Sequence, residues 1–170
     1  MRYVLVMLGS LVGLGIVAYL LLYLLISVGC IYPANYAEQK INEAYDTILH
    51  ADKVTAEMIP ALCDYVIFSE NGEKIGGDLS EQYEQIAWNV AKYGNASGKY
   101  FYKVIVRENE YVVLQYRLTP QYHSAFLREH FIGPQNVMSI MSVIGAAAII
   151  IIPSIRFGKR IKKQMQPVLD

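Results

Sequence analysis

Two long stretches without a charged side chain bracket a middle region in which apolar and polar residues alternate over short periods. No Asp, Glu, Lys, Arg or His stands between Arg2 and Glu38, and Tyr3–Val28 is almost wholly apolar over 26 residues. The second uncharged stretch runs from Phe131 to Ile155, 25 residues, with its most apolar part at Val137–Ile152. A helix needs about 20 residues to cross a bilayer core, so both stretches are predicted to span. The second is shorter in its apolar part, and the basic residues that follow it, Arg156, Lys159, Arg160, Lys162 and Lys163, support the assignment.

The first stretch is too long for the apolar region of a cleaved signal, and no A-x-A-like site follows it. Ser27-Val28-Gly29-Cys30 departs from a lipoprotein cleavage box at Ser27, where a larger aliphatic residue is usual, so an uncleaved anchor is expected. Gly9/Gly13 and Ser142/Ala146 are small-residue pairs of the kind that let spans approach closely, or are ordinary span composition. Pro153 is expected to kink the second span, and Gly133-Pro134 to form its joint with the preceding segment.

Between the spans the periods change. Ile41, Ala44, Tyr45, Ile48 and Leu49 follow helical spacing and predict a helix over 34–50. Asp64–Ser69 reads as a strand, and Asn71-Gly72 predicts a type I′ hairpin that sets Phe68 opposite Ile75. Asp78 and Glu81 resemble a capping box for a helix over 79–93, with an inner stripe of Leu79, Tyr83, Ile86, Ala87 and Val90 and a C-terminal cap at Gly94. Trp88 falls about 180° from that stripe, beside Glu81 and Glu84, and is therefore expected to be exposed.

Strands over 99–107 and 111–118 follow. Val104, Val106, Val112, Leu114 and Leu118 are all even-numbered. A half-buried sheet then predicts a three-residue loop, Glu108-Asn109-Glu110, that pairs 106 with 112 and 104 with 114. Thr119-Pro120 is expected to open a last helix over 120–131. The expected fold class is thus an α+β membrane protein: residues 1–29 hold the first span, 30–132 a small domain with a four-stranded antiparallel sheet and helices, 133–155 the second span, and 156–170 a basic helical exit. The layout resembles PAS-like sensor domains, and other antiparallel α+β folds fit the same order.

The 15 basic and 15 acidic residues cancel, and a net charge of zero argues against a nucleic-acid partner. Divided by topology, the figure changes meaning. Fourteen acids face nine bases between Cys30 and Ile132, whereas six bases face Asp170 alone in the end segments. The positive-inside rule therefore predicts both termini in the cytoplasm and residues 30–132 outside the cell membrane. Glu70 and Glu73 lie at one predicted hairpin tip and Glu108 and Glu110 at the other. With Glu81, Glu84 and Trp88 they form the candidate ligand-binding set, suited to a cationic amphipathic peptide, or else a merely solvated surface. Gly133, Pro134 and Pro153 are the candidate relay positions.

No catalytic constellation, phosphate-binding loop or metal-ligand spacing is legible, so no cofactor and no metal are expected. His50 is expected to bond locally, and His123 and His130 to be surface or interfacial residues, although seven-residue spacing also suits a pH- or metal-sensing pair. Cys63 is expected to be a buried thiol.

The stretches DYVIFSENGEKIGGDLS (64–80), KYFYKVIVRENEYVVLQYRL (99–118) and RFGKRIKKQMQPVLD (156–170), set between two spans, resemble the input half of two-component sensor histidine kinases. More narrowly, the chain is similar to the Gram-positive kinases that sense lantibiotics and other cationic antimicrobial peptides. The resemblance implies an extracellular ligand, a homodimer joined through the spans, contact with membrane lipids, and a response regulator served by a kinase region. This chain has no phosphoacceptor histidine and no ATP-binding box, so a sensor fragment without enzyme activity is expected, with Pro167 near a linker repeat. The alternatives left open are a two-span accessory or scaffold protein and the input module of another receptor class with a small-molecule ligand.

Overall fold

The structure, a computed structural model, describes residues 2–94 and 98–165, apart from the side chains of residues 2–3 and 160–165. Two units emerge: residues 1–32 with 121–170, and residues 33–120. The first contains α1 (Arg2–Ser27), β1 (Ile31–Tyr32), β6 (Gln121–Tyr122), α4 (Ala125–His130) and α5 (Pro134–Met165). The second contains α2 (Tyr36–His50), β2 (Asp64–Ser69), β3 (Lys74–Gly77), α3 (Glu81–Tyr93), β4 (Phe101–Val106) and β5 (Glu110–Tyr116).

Val4–Ser27 and Pro134–Lys159 are long and apolar enough to cross a membrane, and the most apolar stretch of each contains no buried residue. That exposure sets them apart from the core helices of a soluble protein, where apolar side chains are covered. The chain is a membrane protein. The helices α1 and α5 touch where Gly145 faces Leu14: a Cβ at Gly145 would lie 3.0 Å from the Leu14 methyls. Gly9 and Gly13, the pair singled out by spacing, have open space around them instead. α5 runs unbroken through Pro153 to Met165, so the basic exit continues the second span as one helix. Pro167 lies outside the described residues.

The segment that follows α1 and the segment that precedes α4 are joined by an element the hydrophobic pattern did not reveal. β1 and β6 form an antiparallel ribbon, Ile31 opposite Tyr122 and Tyr32 opposite Gln121, and His123 N donates to Cys30 O at 2.9 Å. The expected helix over 120–131 is therefore shortened to α4. Residues 121–122 are held extended by the partner strand, which supplies hydrogen bonds that a helix start could not satisfy.

The second unit is a four-stranded antiparallel sheet in the order β3-β2-β5-β4, with α2 on one face and α3 on the other. Ile41 and Ile48 of α2 pack with Ile67, Ile105, Val112, Leu114 and Tyr116. Ala87 of α3, with Leu79 just before the helix, packs with Val66, Phe68 and Val113. Burying each large aliphatic side chain contributes about 1.5–3 kcal/mol. The central strand β5 is buried on both faces from Val112 to Tyr116.

Double coverage corrects the expected β4–β5 register. Val106 pairs with Tyr111, Val104 with Val113 and Lys103 with Leu114, and Arg107 N donates to Glu110 O at 2.9 Å. The loop is therefore two residues, Glu108-Asn109. Even-numbered burial requires one wet face; with a helix on each face, β5 residues of either parity are buried.

The first hairpin is also corrected. Gly72, at φ +87°, alone takes the left-handed conformation, Gly72 N donates to Ser69 O at 3.0 Å, and Ser69 N donates to Glu73 O at 2.9 Å. The result is a three-residue loop with a glycine bulge rather than a type I′ turn. Phe68 then faces Lys74, a second irregularity follows, and Ile75 is left over and exposed. Asp78 does not cap α3. Its carboxylate accepts Tyr65 N at 2.8 Å, and the helix begins at Glu81 after Ser80, without a side-chain cap. Gly94 closes α3 as expected.

Candidate functional site

Ser69 pairs with Glu110 across β2 and β5. The two hairpin loops therefore project from the same end of the sheet, and Glu70, Glu73, Glu108 and Glu110 are brought together there. Glu70, Glu73 and Glu108 are exposed, and none of them enters an ion pair among the described residues. Glu110 is committed to Arg107, Nε to Oε1 at 2.9 Å.

Arg107 organises this end. Its guanidinium donates to Ile48 O at 2.6 Å and to Ala51 O, both at the C-terminus of α2. A cation on those carbonyls answers both the unpaired acceptors of the last turn and the negative end of the helix dipole. One side chain thus joins α2 to the β4–β5 loop. Between them lies a cleft of about 680 Å³ lined by Leu49, His50, Ala51, Asp52 and residues 106–110. His50 Nδ1 lies 2.9 Å from Asp46 O, the local bond expected of it. Asp52, His50 and Arg107 were not among the sequence candidates. No spacing reveals them, because the cleft exists only where a helix end meets a hairpin distant in sequence.

Trp88 is half-buried rather than exposed, which corrects the helical-wheel placement. Its ring lies 5.3 Å from Phe68 and 5.8 Å from Tyr111, with Lys92 Nζ 5.1 Å from the ring centroid. The sheet is wide enough for α3 to rest on more than its narrow stripe. A Cβ on Gly72 would come within 2.6 Å of the Trp88 ring, so the ring sits directly under the acidic turn. Glu84 is paired with Lys74 at 2.6 Å, and Glu81 stays exposed on the first turn of α3.

The opposite end of the sheet is where the chain leaves the unit. Glu38, near the start of α2, acts on Tyr116 at the end of β5, whose phenol is raised first by burial and then by that carboxylate. α2 therefore runs about 22 Å from the exit end to the acidic end. Near the exit, Tyr83 and Tyr100 meet edge to face at 5.0 Å, and Gln115 donates to the Tyr102 hydroxyl at 2.7 Å. Arg117 donates to the Tyr100 hydroxyl and lies 4.7 Å over its ring. These tyrosines form an edge-to-face, hydrogen-bonded cluster. Partial burial raises the Asp64 carboxyl, Asp78 adds to the rise and Arg117 opposes it. Burial pushes the Cys63 thiol up to about 12, with Asp64 adding.

Of the relay positions, Gly133 accepts Asn136 N and Val137 N at 2.9 and 3.2 Å, and Pro134 is the first residue of α5, where its missing N–H costs nothing. Pro153 lies within α5 and leaves Ile149 O without its helical donor. The His123 ring lies tilted by 42° to Tyr32 at 4.9 Å and His130 stacks on Phe126 at 4.5 Å, so the two are engaged separately. Among the described residues no group of three or more His, Cys, Asp or Glu is placed to hold a metal ion.

No protein-family model and no solved structure matches the chain. It is 30% identical over 169 residues to the sensor histidine kinase SpaK of Bacillus subtilis, a match covering 97% of this chain and 37% of that protein. The chain thus spans little more than a third of the length of this relative. With two apolar helices flanking a mixed helix-and-sheet domain, and with that match along nearly its whole length, this chain is homologous to the N-terminal sensor part of the sensor histidine kinases.

Proposed function

We propose that residues 33–120 form an extracellular, PAS-like receptor domain that binds a cationic amphipathic peptide at the acidic end of its sheet. The observation that carries this reading is the convergence of Glu70, Glu73 and Glu108, unpaired and exposed, beside the cleft at the C-terminus of α2. Charge of one sign at the rim of a concave surface raises the local concentration of the opposite charge and speeds encounter. The site lies at the far end of the unit from Pro33 and Pro120, and Arg107 ties it to α2. A ligand that favours one position of α2 would therefore bias the connections to both spans, provided two arrangements of similar energy exist.

In this reading both termini are cytoplasmic, the positive end segments lying against the inner leaflet. The chain pairs with a second copy through its spans, Gly9 and Gly13 being free to approach. Gly133, Pro134 and Pro153 are where α5 can pivot. Output passes to a cytoplasmic kinase region and from there to a response regulator.

Trp88 reports the site directly, because it lies under the Gly72 turn and is the single tryptophan of the chain. Titrating the chain in lipid nanodiscs with a lantibiotic is expected to shift its emission, and Glu70→Lys/Glu73→Lys/Glu108→Lys to abolish the shift at unchanged helicity. Added salt should weaken the response, as exposed charge interactions are screened beyond about 10 Å at 0.1 M. An emission spectrum unmoved at tens of micromolar peptide would refute the peptide reading; an equal response from the triple variant would move the site elsewhere.

A further inference from the structure

The connector between β6 and α5 carries large apolar side chains that nothing in the fold covers. Phe126 is 61%, Phe131 56% and Ile132 53% exposed. They are close together: the rings of Phe126 and Phe131 lie 6.3 Å apart, and the His130 ring stacks on Phe126 at 4.5 Å. Their direction is held from behind, since Arg128 donates to Tyr122 O and His123 O at 2.9 and 2.8 Å and fastens α4 to the ribbon. An exposed apolar cluster on a rigid mount signifies a partner.

Covalent reach identifies that partner. Phe131 and Ile132 precede Pro134, the first residue of a membrane-crossing helix, by three and two positions. Three residues span at most about 11 Å even when fully extended, so these side chains cannot leave the boundary of the bilayer. Phe126 is held to the same depth by its contact with Phe131. On the neighbouring helix Tyr23, 64% exposed, stands four residues before the end of α1. The Leu14–Gly145 contact keeps the two helix ends level, being about 20 Å from the end of α1 and about 17 Å from the start of α5 at about 1.5 Å per residue. At this depth Tyr23 places its ring against acyl chains and its hydroxyl in the headgroups, while the Phe and Ile side chains bury apolar surface that water would otherwise cover.

We propose that Phe126, Phe131 and Ile132 form a lipid-binding collar whose partner is the interfacial layer of the bilayer leaflet next to the sheet domain, and that this collar sets the depth of α5. Movement of α5 along the membrane normal must then carry two phenylalanine rings through that layer, which favours rotation or tilt in the plane. The inference depends neither on the ligand nor on which side of the membrane the sheet domain occupies.

Nitroxide labels on the full chain, in a Cys30→Ser/Cys63→Ser background within phosphatidylcholine/phosphatidylglycerol vesicles, test it. At Phe126→Cys and Phe131→Cys the ratio of oxygen to nickel-chelate accessibility should be several-fold higher than at Glu129→Cys on the same helix. Ratios equal to those at Glu129→Cys and at Tyr93→Cys in the sheet domain would put the collar in water and overturn the proposal. Protection from both reagents with dipolar broadening would put a second copy there and overturn it equally. Phe126→Ser/Phe131→Ser, read by a label at Ser139→Cys, should change the depth of α5; an unchanged depth at native helicity would remove the depth-setting role.

Discussion

At the scale of the residue, chemistry depends on neighbours that only the fold supplies. Cys63, expected from its type to be a buried thiol, is half-buried, packed against the edge of the α2-side core. Its thiol is raised to about 12 against an ordinary 9.0, because burial penalises the thiolate and Asp64 repels it. Below pH 9 both folded and unfolded chains keep the proton. Above it the unfolded chain releases the proton and the folded one retains it, so stability falls from about pH 9 towards about 12. In a Cys30→Ser chain, alkylation of Cys63 at mildly alkaline pH should be slower by orders of magnitude in the folded state than in urea. Equal rates in the two states would contradict that burial. Trp88 teaches the same lesson in the other direction: its wheel position is polar, yet Phe68, Tyr111 and the Gly72 turn give it a half-buried seat. A helical wheel ranks positions by one stripe, whereas a helix lying on a broad sheet touches it over a wider arc.

At the scale of the element, the spans, α2 and α3 were legible, whereas strand registers and the start of α4 were not. The helix over 34–50, which begins at Tyr36, and the C-terminal cap at Gly94 rest on local periodicity and backbone conformation, and both are present. The two hairpins rest on which face is wet, and here neither face of β5 is. Gly77 illustrates a constraint visible only across strands: at φ +116° its Cβ would strike Tyr65 O and the Val66 backbone. Arg107 is where elements are joined, donating to Ile48 O and Ala51 O and pairing with Glu110. Arg107→Ala is expected to lower stability by about 1.5–3 kcal/mol, the value of one buried charge-assisted contact set. Urea unfolding of the chain in detergent should register it as a lower midpoint with an unchanged slope. A midpoint within error of the parent would mean that α2 is held by its apolar face alone.

At the scale of the whole molecule, topology is the quantity to measure. The distribution of charge argues that the sheet domain is extracellular, and Cys30, exposed beside the β1–β6 ribbon, is a natural probe. In intact cells expressing a Cys63→Ala chain, a membrane-impermeant maleimide is expected to label Cys30 fully. Labelling only after the membrane is opened would invert the assignment and with it the extracellular reading. The ribbon itself changes how a signal can travel, because the segment that follows α1 is hydrogen-bonded to the segment that precedes α4.

Two membrane-spanning helices, the α+β class of the domain between them and the asymmetry of charge follow from the sequence by itself. Each depends on composition and local period: a spanning helix satisfies its own backbone and is recognised by the length of its apolar run, so no distant residue is needed to specify it. The register of both hairpins, the β1–β6 ribbon, the seat of Trp88 and the cleft at Arg107 were decided by the tertiary structure. Each arises where segments far apart in the chain share a buried face or a hydrogen bond, and a buried face on both sides of β5 removes the alternation from which register would otherwise be read.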